Sequence, residues 1–260
     1  MFKDQPPSAH TLRDVFIENN LNDVSHNMIN CVAHMILVID NPKEVVRVGL
    51  EYMVNELSVC RADAGFATPF HLHYTPIAES INSATLPPSI TGLVIPNQHD
   101  VMQKVWKSHK PIKYESVENN TDLKDLQSAF IEAKCKSMLM QRLLWEDEAI
   151  GISCVDHTIE DHKWNELEIE FMDTFCTKFL GPLAGISNYW FNPKMHSMFS
   201  RPSESELTAI RLAAQGFTYK QIAEKLNKSS RTIENQFRNA RKRLSAKNQM
   251  ELLKKCEPWL

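Results

Sequence analysis

The stretch LTAIRLAAQGFTYKQIAEKLNKSSRTIENQFRNARKRL, residues 207–244, decides how the C-terminal part of this chain folds. Ser203 and Glu206 just ahead of it, and Thr218 and Gln221 within it, each form S/T-x-x-E/Q, the pattern in which a hydroxyl and a carboxyl or amide group close the first turn of a helix reciprocally. Leu207, Ile210 and Leu212–Ala214 are expected to face inward, and Gly216 to end the first helix in the left-handed conformation that glycine adopts without strain. The run NKSS (227–230) makes a short turn into a helix from about Arg231, crowded with Arg231, Arg238, Arg241, Lys242 and Arg243. Helix, tight turn, basic helix predicts a helix-turn-helix, with NQMELLKKC as a last helix.

Charge separates this region from the rest. Residues 197–256 hold thirteen Lys and Arg against five Asp and Glu, or +8; residues 1–196 hold sixteen against twenty-six, or −10; Glu257 completes the net −3. A basic tail on an acidic body is the asymmetry expected of a nucleic-acid binder joined to something that should not bind nucleic acid. The boundary falls in NPKMHSMFSRPSESE (192–206), which loses apolar periodicity and carries two prolines among serines, so 191–202 reads as a linker. Six cysteines without a C-x-x-C pair argue against a disulfide framework or a Cys-rich zinc site. No apolar run approaches the roughly 20 residues of a membrane helix, and MFKDQPPSAHTLRDVF lacks a signal-peptide core, so a cytoplasmic protein with no membrane partner is expected.

Ahead of the linker, residues 11–19 and 23–38 are predicted helical, followed by a helix from Pro42 with Val45, Val46, Leu50, Met53, Val54 and Leu57 on one face. ADAGFATPF and HLHYTPI read as short strands, 98–108 as a helix, the region of Lys113 as a strand, and TDLKDLQSAFIEAKC as one helix. SMLMQRLLWEDEAIGISCVDH predicts a hairpin whose second strand opens at Gly151, and a long helix with Leu167, Phe171, Phe175, Phe179 and Leu183 in register closes the domain. Mixed helices and antiparallel strands give an α+β unit.

The tail resembles the tetrahelical DNA-binding domain of LuxR/FixJ-type bacterial regulators, with matches at Glu206, Ile210, Leu212, Ala214, Gly216, Thr218, Lys220, Ile222, Ala223, Leu226, Ser229, Thr232, Ile233, Asn239 and Leu244. The resemblance implies that Glu234, Asn235 and Arg238 face base edges, and that Thr218, Lys220, Ser229, Arg231, Thr232, Arg241, Lys242 and Arg243 meet phosphates, which fix register but read no sequence. It also implies double-stranded DNA as partner and a homodimer formed partly by the last helix, with RNA polymerase or a regulatory protein as further candidates. Among the departures from the family pattern, Lys228 replaces an apolar residue, Gln236 a histidine, and Glu234 a lysine. An acid at a base-reading position can accept from cytosine N4, or it can pair with Arg231 or Arg238 and orient an arginine.

Residues 40–187 resemble a GAF domain, in VWKSHKPIKYES, MLMQRLLWEDEAIGISCVDH and the helix at 166–184; PAS and acyl-homoserine-lactone-binding domains share much of that architecture. The W-x-x-x-Y…D…W set of lactone receptors is not found at comparable spacing, and the acidic pair and phospho-accepting Asp of a receiver domain are missing. The organisation expected is therefore N-terminal helices over 1–39, a GAF/PAS-like α/β sandwich over 40–190, the linker, and an all-α helix-turn-helix domain over 203–260. A GAF pocket would draw on Phe66, His71, His73, Tyr74, Trp106, Leu139, Trp145 and Cys154, for an unidentified small-molecule ligand and no certain cofactor. His71 and His73 would share a strand face, but no third ligand presents itself, so no metal is expected. Sensor and DNA-reading tail together suggest a transcription regulator. An acyl-homoserine-lactone receptor is the alternative, and a sulfoxide reductase using Cys135 or Cys154 the enzymatic rival, weakened by the lack of an adjacent His and acid pattern.

Overall fold

The computed structural model describes residues 5–192, 202–244, 246–256 and 259; the chain divides into two compact units, Met1–Pro193 and Lys194–Leu260. Most of the stretch read as a linker, 193–201, lies outside the described residues.

In the first unit, short polar side chains start the helices. Ser8 accepts the Thr11 backbone N–H at 3.1 Å ahead of α1 (Ala9–Phe16), Ser25 that of Met28 at 3.2 Å ahead of α2 (His26–Leu37), and Asn41 that of Glu44 at 3.3 Å ahead of α3 (Pro42–Leu57). Pro42 takes the first helical position, where a missing N–H costs nothing. Val45, Val46, Leu50, Met53 and Val54 are buried along α3, and Ser58, at φ 52°, turns the chain into the sheet.

Five antiparallel strands run in the order β3-β1-β7-β6-β5: β1 (Arg61–Phe66), β3 (Ala78–Ile81), β5 (Ile112–Tyr114), β6 (Ser137–Trp145) and β7 (Glu148–His157). A separate ribbon pairs β2 (His73–Tyr74) with β4 (Ile95–Pro96). The β6–β7 turn is Glu146–Asp147, at φ 49° and 63°, the two left-handed residues that a two-residue hairpin requires. Because the turn is that tight, β7 starts at Glu148 rather than at Gly151. Gly151 lies mid-strand opposite Phe66 and Leu143, where a Cβ would stand 2.4 Å from the Gly65 carbonyl oxygen. The strands β3 and β4 escape the sequence reading: AESI is half-buried throughout and IP is two residues long. The helix expected over TDLKDLQSAFIEAKC is a 3-10 turn (Thr121–Leu123) and a short α5 (Gln127–Glu132), closed by Lys134 at φ 56°.

Side-chain alternation gives the sheet two interiors. Ala62, Ala64, Phe66, Leu139, Ser153 and Val155 point to the helices: Ser153 Oγ lies 3.9 Å from Met53 Sδ, and α3 packs on β1. Tyr74, Met138, Met140, Ile152 and Cys154 join a second core with Trp106 from α4 (Asp100–Lys107) and Phe130 from α5. The closing helix is α6 (Glu166–Phe175), a π turn (Cys176–Leu180) and α7 (Gly181–Phe191). Pro182 lacks the N–H that would bond the Lys178 carbonyl, which accounts for the wide turn before it. The expected register holds across the π turn and fails at the start of α6. Phe175, Phe179 and Leu183 are buried, whereas Leu167 is 77% exposed.

The second unit contains α8 (Glu204–Ala214), α9 (Tyr219–Lys225), α10 (Ser230–Arg243) and α11 (Gln249–Cys256) around Ile210, Ile222, Ile233, Phe237 and Leu252. Leu207, Ile210 and Ala213 are buried as expected, but Ala214, the last residue of α8, is exposed where the helix end projects.

Candidate nucleic-acid interface

Two capping boxes set the helix angles of the second unit. Ser203 Oγ accepts the Glu206 N–H at 3.2 Å while the Ser203 N–H donates to Glu206 Oε2 at 2.8 Å; Thr218 Oγ1 accepts the Gln221 N–H at 3.4 Å while the Thr218 N–H donates to Gln221 Oε1 at 2.9 Å. Between them Gly216, at φ 91°, lets Phe217 N–H return to the Leu212 carbonyl at 3.2 Å. After α9, Asn227 at φ 50° reverses the chain, and Ser229 Oγ accepts the Thr232 N–H at 3.1 Å at the head of α10. Helix, turn and helix thus follow from a glycine, an asparagine and five cap residues.

The face that α10 leaves outside its core carries Arg231, Thr232, Glu234 and Arg238 exposed and Asn235 and Arg241 half-buried; Thr218, Lys220 and Ser229 are exposed beside it. The side chains of Lys242 and Arg243 lie outside the described residues, although both belong to α10. Arg238 Nη2 donates to Asn235 Oδ1 at 2.8 Å, so two of the three residues matched to base reading are already tied together. No ion pair of Glu234 occurs among the described residues, and Arg238, which could have taken it, is engaged by Asn235.

Sequence reasoning missed one arrangement. Lys228 Nζ donates to Ser205 Oγ at 2.7 Å and Gln236 Nε2 to the same oxygen at 2.6 Å, pinning the turn and α10 to the first turn of α8. Both donors are positions that depart from the LuxR pattern; the missing signal was Ser205, which no motif marks.

A family model of bacterial regulatory proteins of the luxR family matches residues 203–255. The chain carries a LuxR-family DNA-binding domain. The N-terminal unit is similar to the phycoerythrobilin-bound GAF domain from a cyanobacterial phytochrome, at 18% identity and TM-score 0.52, over 64% of this chain and 98% of that one. A phycocyanobilin-bound GAF domain from a cyanobacterial phytochrome matches at 17% identity and TM-score 0.52, over 65% and 100%. At this identity the likeness gives the fold, and the N-terminal unit has a GAF-like fold. No curated protein matches the chain. The whole is therefore α+β, an antiparallel GAF-like sheet with helices followed by an all-helical LuxR-family domain.

The eight residues proposed for a sensor pocket do not meet at one point. Tyr74, Trp106 and Cys154 belong to the core beneath α4 and α5, whereas Phe66, Leu139 and Trp145 point to the helical side, Trp145 packing on Gly185 and Tyr189. The polar ends of the buried aromatics are used internally: Tyr74 Oη donates to the Ile152 carbonyl at 2.9 Å, and Trp106 Nε1 to Asn97 Oδ1 at 2.7 Å. His73 is exposed in β2, and His71 lies before the strand with its Nδ1 accepting the Thr68 N–H at 2.9 Å, so the two imidazoles do not share a strand face. Among the described residues no group of three His, Cys, Asp or Glu is placed to hold a metal.

Beside this core sits a buried ion pair. Arg61 and Asp156, neighbours across β1 and β7, join through Nη2 and Oδ2, with Nε to Oδ2 at 3.1 Å; Arg61 also donates to the Pro88 carbonyl at 2.5 Å and the Ala133 carbonyl at 3.3 Å. Burial lifts the Asp156 carboxyl to about 6 against the pull of Arg61, and lifts Asp63 well above the carboxylate range. The same burial holds the Cys135 and Cys154 thiols well above their ordinary value. Among the described residues no helix is long and apolar enough to cross a membrane.

Proposed function

We propose that this protein is a transcription regulator in which the GAF-like unit senses a small molecule or a protein partner and alters how two LuxR-family domains are presented to DNA in a homodimer. The observation that carries the reading is the outer face of α10, where Glu234, Asn235 and Arg238 stand among Thr218, Lys220, Arg231 and Arg241. A symmetric dimer supplies the second half-site that one short recognition helix lacks. Selection from a random pool of DNA duplexes with the full chain tests it. The expected product is a two-fold symmetric site with half-sites about one helical turn, or 10 base pairs, apart; a pool without enrichment, or an asymmetric single site, overturns the dimeric reading.

A protein partner is supported over a small molecule by one feature of the N-terminal unit. Tyr74 and Trp106, the best-placed candidates for ligand contact, are buried with their polar atoms bonded within the domain. Native mass spectrometry of gently purified protein separates the two: a stoichiometric small molecule favours ligand sensing, and an empty domain with full DNA affinity favours a docking surface.

A further inference from the structure

Ser205 belongs to no motif, yet its hydroxyl is where three parts of the helix-turn-helix meet. It is the second residue of α8, inside the turn that Ser203 and Glu206 close, so its backbone is fixed. Lys228 Nζ donates to its Oγ at 2.7 Å and Gln236 Nε2 at 2.6 Å. Lys228 follows Asn227, the left-handed residue that reverses the chain, and its own N–H is bonded to the Ala223 carbonyl at 2.9 Å. Gln236 Oε1 is buried without a hydrogen bond, so among the described residues Ser205 is the one partner of this amide.

The place of Gln236 on α10 gives that contact its leverage. At about 100° per residue, Glu234 and Arg238 lie two positions to either side of it, about 160° round the helix, so Gln236 grips the back of a helix whose front carries them. Ile233, Phe237 and Ala240 bury the core side of α10, and apolar contact has no preferred direction. A hydrogen bond has a favoured angle as well as a distance, so the Ser205 contact restrains the roll of α10 about its own axis. We propose that Ser205 is a positioning residue for base reading: through Gln236 it sets the roll of α10, and through Lys228 the turn from which α10 starts, so that Glu234, Asn235 and Arg238 meet the base edges at a fixed angle. The proposal rests on the reading of α10 as the recognition helix.

Ser205→Ala deletes the shared oxygen, and Ser205→Thr keeps it. The test uses the full chain, the duplex enriched by selection, every single-base variant of it, and a scrambled duplex, with Tm recorded for each protein. Ser205→Ala is expected to flatten discrimination several-fold at the base pairs where Glu234→Ala or Arg238→Ala flattens it. Affinity for the scrambled duplex and the slope of log K against log salt should stay as in the parent, because phosphate contacts read no sequence. Ser205→Thr should restore the parental preferences, and Gln236→Ala should add nothing in the Ser205→Ala background. A loss of stability alone lowers the folded fraction and weakens all duplexes alike. Equal weakening on all duplexes, additive effects of Gln236→Ala, or no rescue by threonine therefore overturns the positioning role. Intact preferences in Ser205→Ala beside flattened ones in Arg238→Ala overturn this role and leave the recognition helix standing; intact preferences in both Glu234→Ala and Arg238→Ala overturn the two together.

Discussion

The two units handle charge in opposite ways. The GAF-like unit carries the chain's acidic excess yet buries Arg61 and Asp156, which hold each other while Arg61 also bonds two backbone carbonyls, with Asp63 buried on the same strand. The LuxR-family unit carries the basic excess; among its described residues Glu206, which closes the Ser203 capping box, is the one buried acid, and the described arginines and lysines are exposed or half-buried. Buried charge works on the domain that contains it, and exposed charge is left for a polyanion. Substitutions of the first kind should therefore unfold, and those of the second kind should change binding.

The sharpest way to break this contrast is Asp156→Ala, which strands the Arg61 guanidinium in the interior. A loss of about 3–5 kcal/mol is expected, confined to unfolding of the first unit; denaturation followed separately for the two units measures it, and a loss under 1 kcal/mol would mean the pair is not desolvated. Next comes recognition. Glu234→Ala should redistribute affinity among sequences by about 1–3 kcal/mol at one base pair, whereas Arg241→Ala should weaken all duplexes alike and lower the slope of log K against log salt by about one. Binding titrations at several salt concentrations distinguish them, and uniform weakening by the Glu234 change would sink its role in base reading. Smaller again, Ser203→Ala removes a helix cap and should cost the second unit about 1 kcal/mol in thermal or urea unfolding.

The smallest expected effect is a dependence on pH. His157 packs on His162, at 4.3 Å between ring centroids, and beside Trp164; burial first and His162 second depress its imidazole below the ordinary 6.5, against the pull of Glu168 and Glu160. As pH falls through 6.5 the unfolded chain takes up this proton before the folded one does. The contribution of His157 to stability is thus constant above that point and declines on acidification, levelling off below the folded value. Tm of the first unit measured from about pH 7 to about pH 5 should fall less steeply in His157→Gln than in the parent. Parallel curves would exclude His157 as the source.

The contrast extends to what the sequence reveals. In the LuxR-family unit, Ser203, Glu206, Gly216, Thr218 and Gln221 have local jobs, each completed within a few residues, and each is found where its pattern places it. The β6–β7 hairpin and α3 were legible for a similar reason, since turn chemistry and apolar spacing are local. The sensor's remaining features are not local. Arg61 and Asp156 are 95 residues apart, and only the antiparallel pairing of β1 with β7 brings them together. Strand alternation divides Leu139 from Met140 into different interiors, and Tyr74, from the separate β2–β4 ribbon, packs with Met140 while Phe66 points to the helices, so a pocket assembled from aromatic residue types alone drew on both sides of the sheet. Leu167 failed because each i+4 step in a regular α-helix drifts by about 40°, so two steps before Phe175 it stands off the buried face.

Lys228, Gln236 and Ser205 give two departures from a family pattern one shared contact. Taken singly, a lysine in an apolar place and a glutamine in a histidine place look like two unrelated drifts; here both side chains grip one serine oxygen. Restoring either position alone would leave the other donor holding a bond shaped for two. The three residues therefore act together, and the effects of Lys228→Ala and Gln236→Ala on the stability of the second unit should depend on each other and on Ser205.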